Sequence, residues 1–277
     1  MVPADRSGQI TLDHLTIVTL LALIWLFISV LPLPPNDLWW HMAAGRTMVQ
    51  EGDWLHTNRW AYTLPADAPY VYQSWLSEIL MYATWQLGDL PGLMLLRTVA
   101  IVLSYGLVAW HAWRRTGGHG KAVMIALGLA ALVGWNNWTL RPQTLALLPA
   151  SLFLVVLGEY LGQRLSTRWL IGLPILMLVW VNLHGSFMLG LAILGGAWLG
   201  AAITALRNHQ HPLRAQLLPF TLATVVTGCM PLIHPLGLGI IDYVPSMLGN
   251  PALRLWFVEW QPPRFEINLM GESFWFL

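Results

Sequence analysis

Charge is the scarcest property of this 277-residue chain: 10% of its residues are Asp, Glu, Lys or Arg, against 56% hydrophobic ones. A soluble domain carries roughly 25% charged residues, so a water-exposed surface of ordinary size cannot be built, and the chain reads as an integral membrane protein. Cysteine is nearly absent. The single Cys229 lies inside an apolar stretch, which excludes a disulfide framework and a cysteine metal site. A net charge of +1 offers no basic surface for nucleic acid. No Walker loop, His-Glu-x-x-His helix, zinc-finger spacing or Gly-x-Gly-x-x-Gly is present. "GGHGK" at 117–121 lacks the strand and the Ser or Thr that a phosphate loop requires.

Long apolar runs and tryptophan are what the chain has. Its 17 tryptophans exceed what one core needs and suit the two aqueous interfaces of a bilayer. A spanning helix takes about 20 mostly apolar residues, and seven segments qualify: 15–33, 90–113, 122–140, 143–162, 168–184, 186–206 and 215–233. The first has no cleavage site behind it and reads as a retained span. The expected fold is therefore all-α, a polytopic transmembrane helical bundle of about seven spans, forming a single transmembrane domain over 1–277.

"WLSEILMYATWQLG" at 75–88 is short for a span and carries Ser77, Glu78 and Gln86, so it is expected to be interfacial or half-inserted. Loop charge agrees. With 75–88 on the surface, one side holds Arg114, Arg115, Lys121, Arg164, Arg168, Arg207 and Arg214, and the other Arg141, Arg254 and Arg264. By the positive-inside rule the richer side is cytoplasmic. The segment 34–89 then forms a large outer loop with short interfacial helices, and 136–143, 182–186, 233–237 and 258–263 are outer turns. The ending "SFWFL" reads as the start of a further span, which makes the chain incomplete at its C-terminus.

Unusual polar residues gather at the expected outer side. Asp37 and His41 are spaced i, i+4, so one helix face would carry both. Asp37 also reads as a helix cap after a proline run. Glu78 opens an apolar helix, where it is either a second inward acid or a solvated helix-start glutamate. Arg141 precedes Pro142 at the mouth of a span, either pairing with a phosphate or anchoring the interface. Asn182 and His184 flank a break permitted by Gly185. His234 precedes Pro235, and Glu259 precedes Trp260 and two prolines. The tryptophans and tyrosines of 54–75 suit a sugar site as well as a loop lying on a membrane.

"DLWWHMAAGRTMVQEGDWLHTN", "YQSWLSEIL", "LRPQ", "WVNLHGSF" and "VEWQPP" together resemble the glycosyltransferase C superfamily, which includes protein O-mannosyltransferases and other lipid-phosphosugar-dependent transferases. The resemblance covers about 15–263. It implies a membrane enzyme of a bacterial inner membrane with its active face outside. Such an enzyme moves a sugar from a polyprenyl-phosphate donor to an acceptor, with inversion. By residue match Asp37 is the catalytic acid that serves as general base, and His184 joins it. His41, Glu78, Arg141, Asn182, His234 and Glu259 are expected to bind substrate. Arg141, His184 or a divalent metal ion is the expected partner of the leaving phosphate. The sequence departs from the family in having fewer spans and in lacking a second acid beside the first; the next acids are Glu51 and Asp53. The other readings are a non-catalytic membrane protein that binds or transports a lipid-linked or small polar ligand, and an inactive part of a transferase.

Overall fold

The computed structural model describes residues 10–34, 37–207, 213–251 and 255. Asn36, Arg254, Glu259, Arg264, the 258–263 tail and part of the 207–214 loop lie outside these. The described residues fold into helices: α1 (Leu12–Val30), α2 (Leu38–Glu51), α3 (Trp75–Arg115), α4 (Gly120–Gly134), α5 (Pro142–Leu161), α6 (Gly172–Leu183), α7 (Phe187–Arg207), α8 (Leu213–Cys229) and α9 (Gly239–Gly249). Short 3-10 turns occupy Trp135–Asn137, Thr167–Ile171 and Met230–Ile233. The one β-type pairing among the described residues is an isolated bridge between Thr57 and Pro69.

Among the described residues, five helical segments are long and apolar enough to cross a membrane: Leu12–Val30, Trp75–Arg115, Pro142–Leu161, Phe187–Arg207 and Ala215–Ile233. The sequence reading counted about seven. The other two form shorter apolar helices, Gly120–Gly134 and Thr167–Leu183. The expected span 122–140 loses length because the chain tightens into the Trp135–Asn137 turn after Gly134. A 15-residue α4 reaches about 22 Å at 1.5 Å per residue, against roughly 30 Å of hydrocarbon.

α3 is two helices end to end. Gly88 (φ −154°, ψ 18°) and Asp89 (φ 45°, ψ −143°) leave helical geometry. Pro91 follows at the start of the second piece, where a missing N–H costs nothing. The break falls where the sequence separates the short segment 75–88 from a span beginning at 90.

Apolar side chains cover the outside as well as the inside. Leu23, Leu26, Leu129, Leu132 and Leu189 are all exposed, an arrangement that water would penalise and lipid would not. The interior cluster of Phe153, Tyr160, Leu173, Met177, Trp180 and Phe187 joins α5, α6 and α7. A buried Arg97 on α3 closes the end of α1. Its guanidinium donates to the carbonyls of Ile28 (2.6 Å), Leu31 (2.7 Å) and Pro32 (3.1 Å), acceptors left over where the prolines stop that helix.

Candidate functional site

Local backbone geometry sets each polar side chain in place. Residues before proline favour extended backbone, and Arg141 (φ −141°, ψ 163°) adopts it ahead of Pro142, the first residue of α5. Asp37 is the N-cap residue of α2, yet its side chain makes no capping hydrogen bond. Its carboxylate instead forms an ion pair with the Arg141 guanidinium. The capping alternative is thereby set aside by geometry. Asp37 is about half exposed and Arg141 mostly covered, with side-chain exposures of 48% and 16%.

One turn along α2, His41 packs against Glu78 of α3. Its Nδ1 lies 2.9 Å from Glu78 Oε1. A glycine makes the approach feasible: a Cβ on Gly45 would overlap the backbone carbonyl of Glu78. Glu78 is 1% exposed, and its second oxygen, Oε2, is buried with no partner among the described residues. An unmet buried acceptor costs about 1–3 kcal/mol. A hydroxyl or amide arriving with a ligand would satisfy it.

His184 follows the last turn of α6, with extended backbone (φ −164°, ψ 147°). The Ser186 N–H donates to its Nδ1 at 3.2 Å, so the proton of the neutral ring sits on Nε2. Burial, reinforced by positive charge on His41 and Arg141, pushes the imidazole down to about 4. His184 is therefore neutral at physiological pH, a hydrogen-bonding group and not the cation that the sequence reading allowed. Ser77 donates to the Leu183 carbonyl at 2.8 Å, which sets the α6–α7 turn against the start of the helix that carries Glu78.

Other predicted residues hold the scaffold. Asn182 accepts from Trp75 Nε1 (2.7 Å) and donates to the Leu178 carbonyl (2.8 Å). His234 uses both ring nitrogens on backbone: Leu236 N–H donates to Nδ1 (3.1 Å), and Nε2 donates to the Gln73 carbonyl (3.0 Å). Burial lowers its basicity, and the Gln73 carbonyl partly offsets this. Neither ring nitrogen of His234 is left for a substrate.

The sequence reading passed over the stitching that fastens α3 to the 181–184 turn. Gln73 donates to the Val181 carbonyl (2.7 Å) and Ser77 to the Leu183 carbonyl (2.8 Å). The signal was present in "YQSWLSE", where Gln73 just ahead of the N-cap Ser74 and Ser77 in the first turn put two polar side chains at the start of an apolar helix. Before that helix, Asn58 fastens its loop by donating to the carbonyls of Ala61, Leu64 and Pro65 and accepting from the Ala61 N–H. Trp40 stacks on Tyr72 at 6.0 Å and touches Trp60 and Tyr70. Trp40, Tyr70 and Tyr72 belong to a small core between the loop and α2, with the exposed Trp60 at its edge.

Among the described residues no group of three or more acids, histidines or cysteines is arranged to hold a metal ion. Asp37 is occupied by a guanidinium and Glu78 by an imidazole. The arrangement offers an acid paired with an arginine, a carboxylate–imidazole pair and a neutral histidine, brought together by α2, α3, the start of α5 and the α6–α7 turn. Comparison of the chain with protein-family models, with characterised proteins and with solved structures finds no match.

Proposed function

We propose that this chain is a membrane glycosyltransferase, moving a sugar from a polyprenyl-phosphate donor to an acceptor hydroxyl on the outer face of a bacterial inner membrane. In this reading the five long helices and the two shorter ones all cross the bilayer, and 34–89 lies outside. The observation that carries the proposal is the Asp37–Arg141 pair. Transfer from a lipid phosphate needs a base for the incoming hydroxyl and a cation for the departing phosphate. Here the two rest on each other. A donor phosphate engaging Arg141 releases the Asp37 carboxylate. That carboxylate takes the hydroxyl proton as the oxygen attacks the anomeric carbon, and the carbon–oxygen bond to phosphate breaks with inversion. His184 supplies a neutral hydrogen bond, and Glu78 Oε2 accepts from a hydroxyl of the sugar or acceptor.

One observation also favours a second reading. An acid already neutralised by arginine is the resting state expected of a site that merely binds an anionic head group, so a non-catalytic binder or transporter of a lipid-linked ligand shares this geometry. Membranes containing the chain, supplied with a polyprenyl-phosphate sugar and a hydroxyl acceptor, separate the two. The transferase releases polyprenyl phosphate in step with glycosylated acceptor. Binding of the donor without release contradicts the transferase and leaves the binder.

A further inference from the structure

Far from Asp37, α5 ends in a second polar cluster that serves none of the chemistry above. Glu159 lies about 27 Å beyond Arg141 along that helix, at about 1.5 Å per residue, and is fully buried. Its Oε1 faces His111 Nδ1 at 2.8 Å. Its Oε2 faces Nε of both Arg114 and Arg164, each at 2.9 Å. His111 and Arg114 come from the last turns of α3, and Arg164 from the chain just after α5.

The mode of pairing matters. Each guanidinium is held through Nε, so the terminal amino groups of both arginines have no partner among the described residues. Both side chains reach the surface, with Arg114 and Arg164 39% and 30% exposed. Arg114 is further fixed by lying 5.1 Å over the Trp110 ring. One buried carboxylate oxygen thus holds two cations side by side, and a single negative charge cannot neutralise both. A planar pair of forks with surplus positive charge is the arrangement that suits a phosphate.

The surroundings select which phosphate. The cluster sits where α3 and α5, two of the membrane-length helices, come to an end. Exposed Trp110, Trp169 and Ile171 border it in the sequence, the composition of a bilayer interface. Basic sites between the ends of apolar helices receive anionic lipid head groups. We propose that Arg114 and Arg164, pinned by Glu159, form a binding site for the phosphodiester of an anionic membrane phospholipid. Glu159 is the positioning residue; the two arginines make the contact.

The test uses the full chain purified in a neutral detergent, with phosphatidylglycerol, phosphatidylcholine and inorganic phosphate as probes and native mass spectrometry as the readout. Phosphatidylglycerol is expected to bind at least tenfold more tightly than phosphatidylcholine, and the preference should weaken as salt is raised. Arg114→Gln and Arg164→Gln should each abolish it, whereas Arg115→Gln, which changes the neighbouring exposed arginine, should keep it. Equal binding of the two lipids overturns the proposal, as does a preference indifferent to salt. A loss with Arg115→Gln as large as with Arg114→Gln means diffuse surface charge and overturns the pinned site. If inorganic phosphate displaces phosphatidylglycerol at equal concentration, the lipid assignment falls. Should the glutamine variants fail to fold, Arg114→Lys and Arg164→Lys keep the charge but lose the fork, and the lipid preference must still drop; unchanged preference would refute the role of the guanidinium pair.

Discussion

The Asp37 carboxylate faces the guanidinium of Arg141, 104 positions away in the chain, and not the amides of the helix it begins. That contact ties the start of α2 to the start of α5. It sets an acid and a cation together one helical turn from the His41–Glu78 pair.

The His41–Glu78 pair should behave as an energetic unit. Removing one partner of a buried pair leaves the other uncompensated, at a cost of about 3–5 kcal/mol. His41→Ala and Glu78→Ala should each destabilise strongly, and the double variant should lose clearly less than the sum. A double-mutant cycle on thermal or denaturant unfolding in detergent reads the coupling. Additive losses would show that the 2.9 Å contact contributes nothing to stability.

Gly45 is expected to tolerate no side chain. A methyl group there meets the Glu78 backbone, which cannot rotate away as a flexible side chain would. Gly45→Ala should therefore cost about 1–3 kcal/mol by overpacking, even though alanine is the better helix former. Substituting alanine at Gly128, which has open space around it in α4, should be neutral or stabilising by comparison. Equal behaviour of the two variants would contradict the close approach of α2 to α3.

His184 gives a prediction about pH. Its folded-state value of about 4 lies below the ordinary 6.5, so between these values the unfolded chain binds more protons than the folded one. Stability from this group is complete above about pH 6.5 and declines as pH falls toward 4. The full effect is roughly 3 kcal/mol at most. His184→Gln should flatten that part of the stability–pH curve, measured by unfolding at a series of pH values. An unchanged slope in the variant would mean that His184 is not buried neutral.

Helical architecture was legible because apolar runs and the shortage of charge leave few other solutions. The short segment before residue 90 was legible too: Ser77, Glu78 and Gln86 interrupt its apolarity, and Gly88, Asp89 and Pro91 mark the break. The lengths of α4 and α6 were not, since a count of apolar residues cannot distinguish a helical turn from the 3-10 turns at Trp135–Asn137 and Thr167–Ile171. In the site, the i, i+4 spacing foretold that Asp37 and His41 share a helix. It could not show that they engage different partners, because Arg141 and Glu78 arrive from distant segments. Asn182 and His234 looked like ligand residues for the same reason that they serve as fasteners: a polar side chain at a helix end finds backbone carbonyls first. Arg97 and Glu159 were missed because Arg97 is a lone charge within an apolar run whose partners are carbonyls at the end of another helix, and Glu159 takes His111 and Arg114 from α3 as well as Arg164 from just beyond its own helix.

If Asp37 is the base of a sugar-transfer site whose phosphate is held by Arg141, Asp37→Asn is the decisive variant. The carboxylate makes no cap bond and is half exposed, so the variant should fold within about 1 kcal/mol of the parent. An amide cannot accept the proton of the acceptor hydroxyl. Transfer from a polyprenyl-phosphate sugar should fall by about 10² or more, while the donor still binds through Arg141. A folded Asp37→Asn variant that transfers sugar at the parental rate would show that Asp37 is not the base.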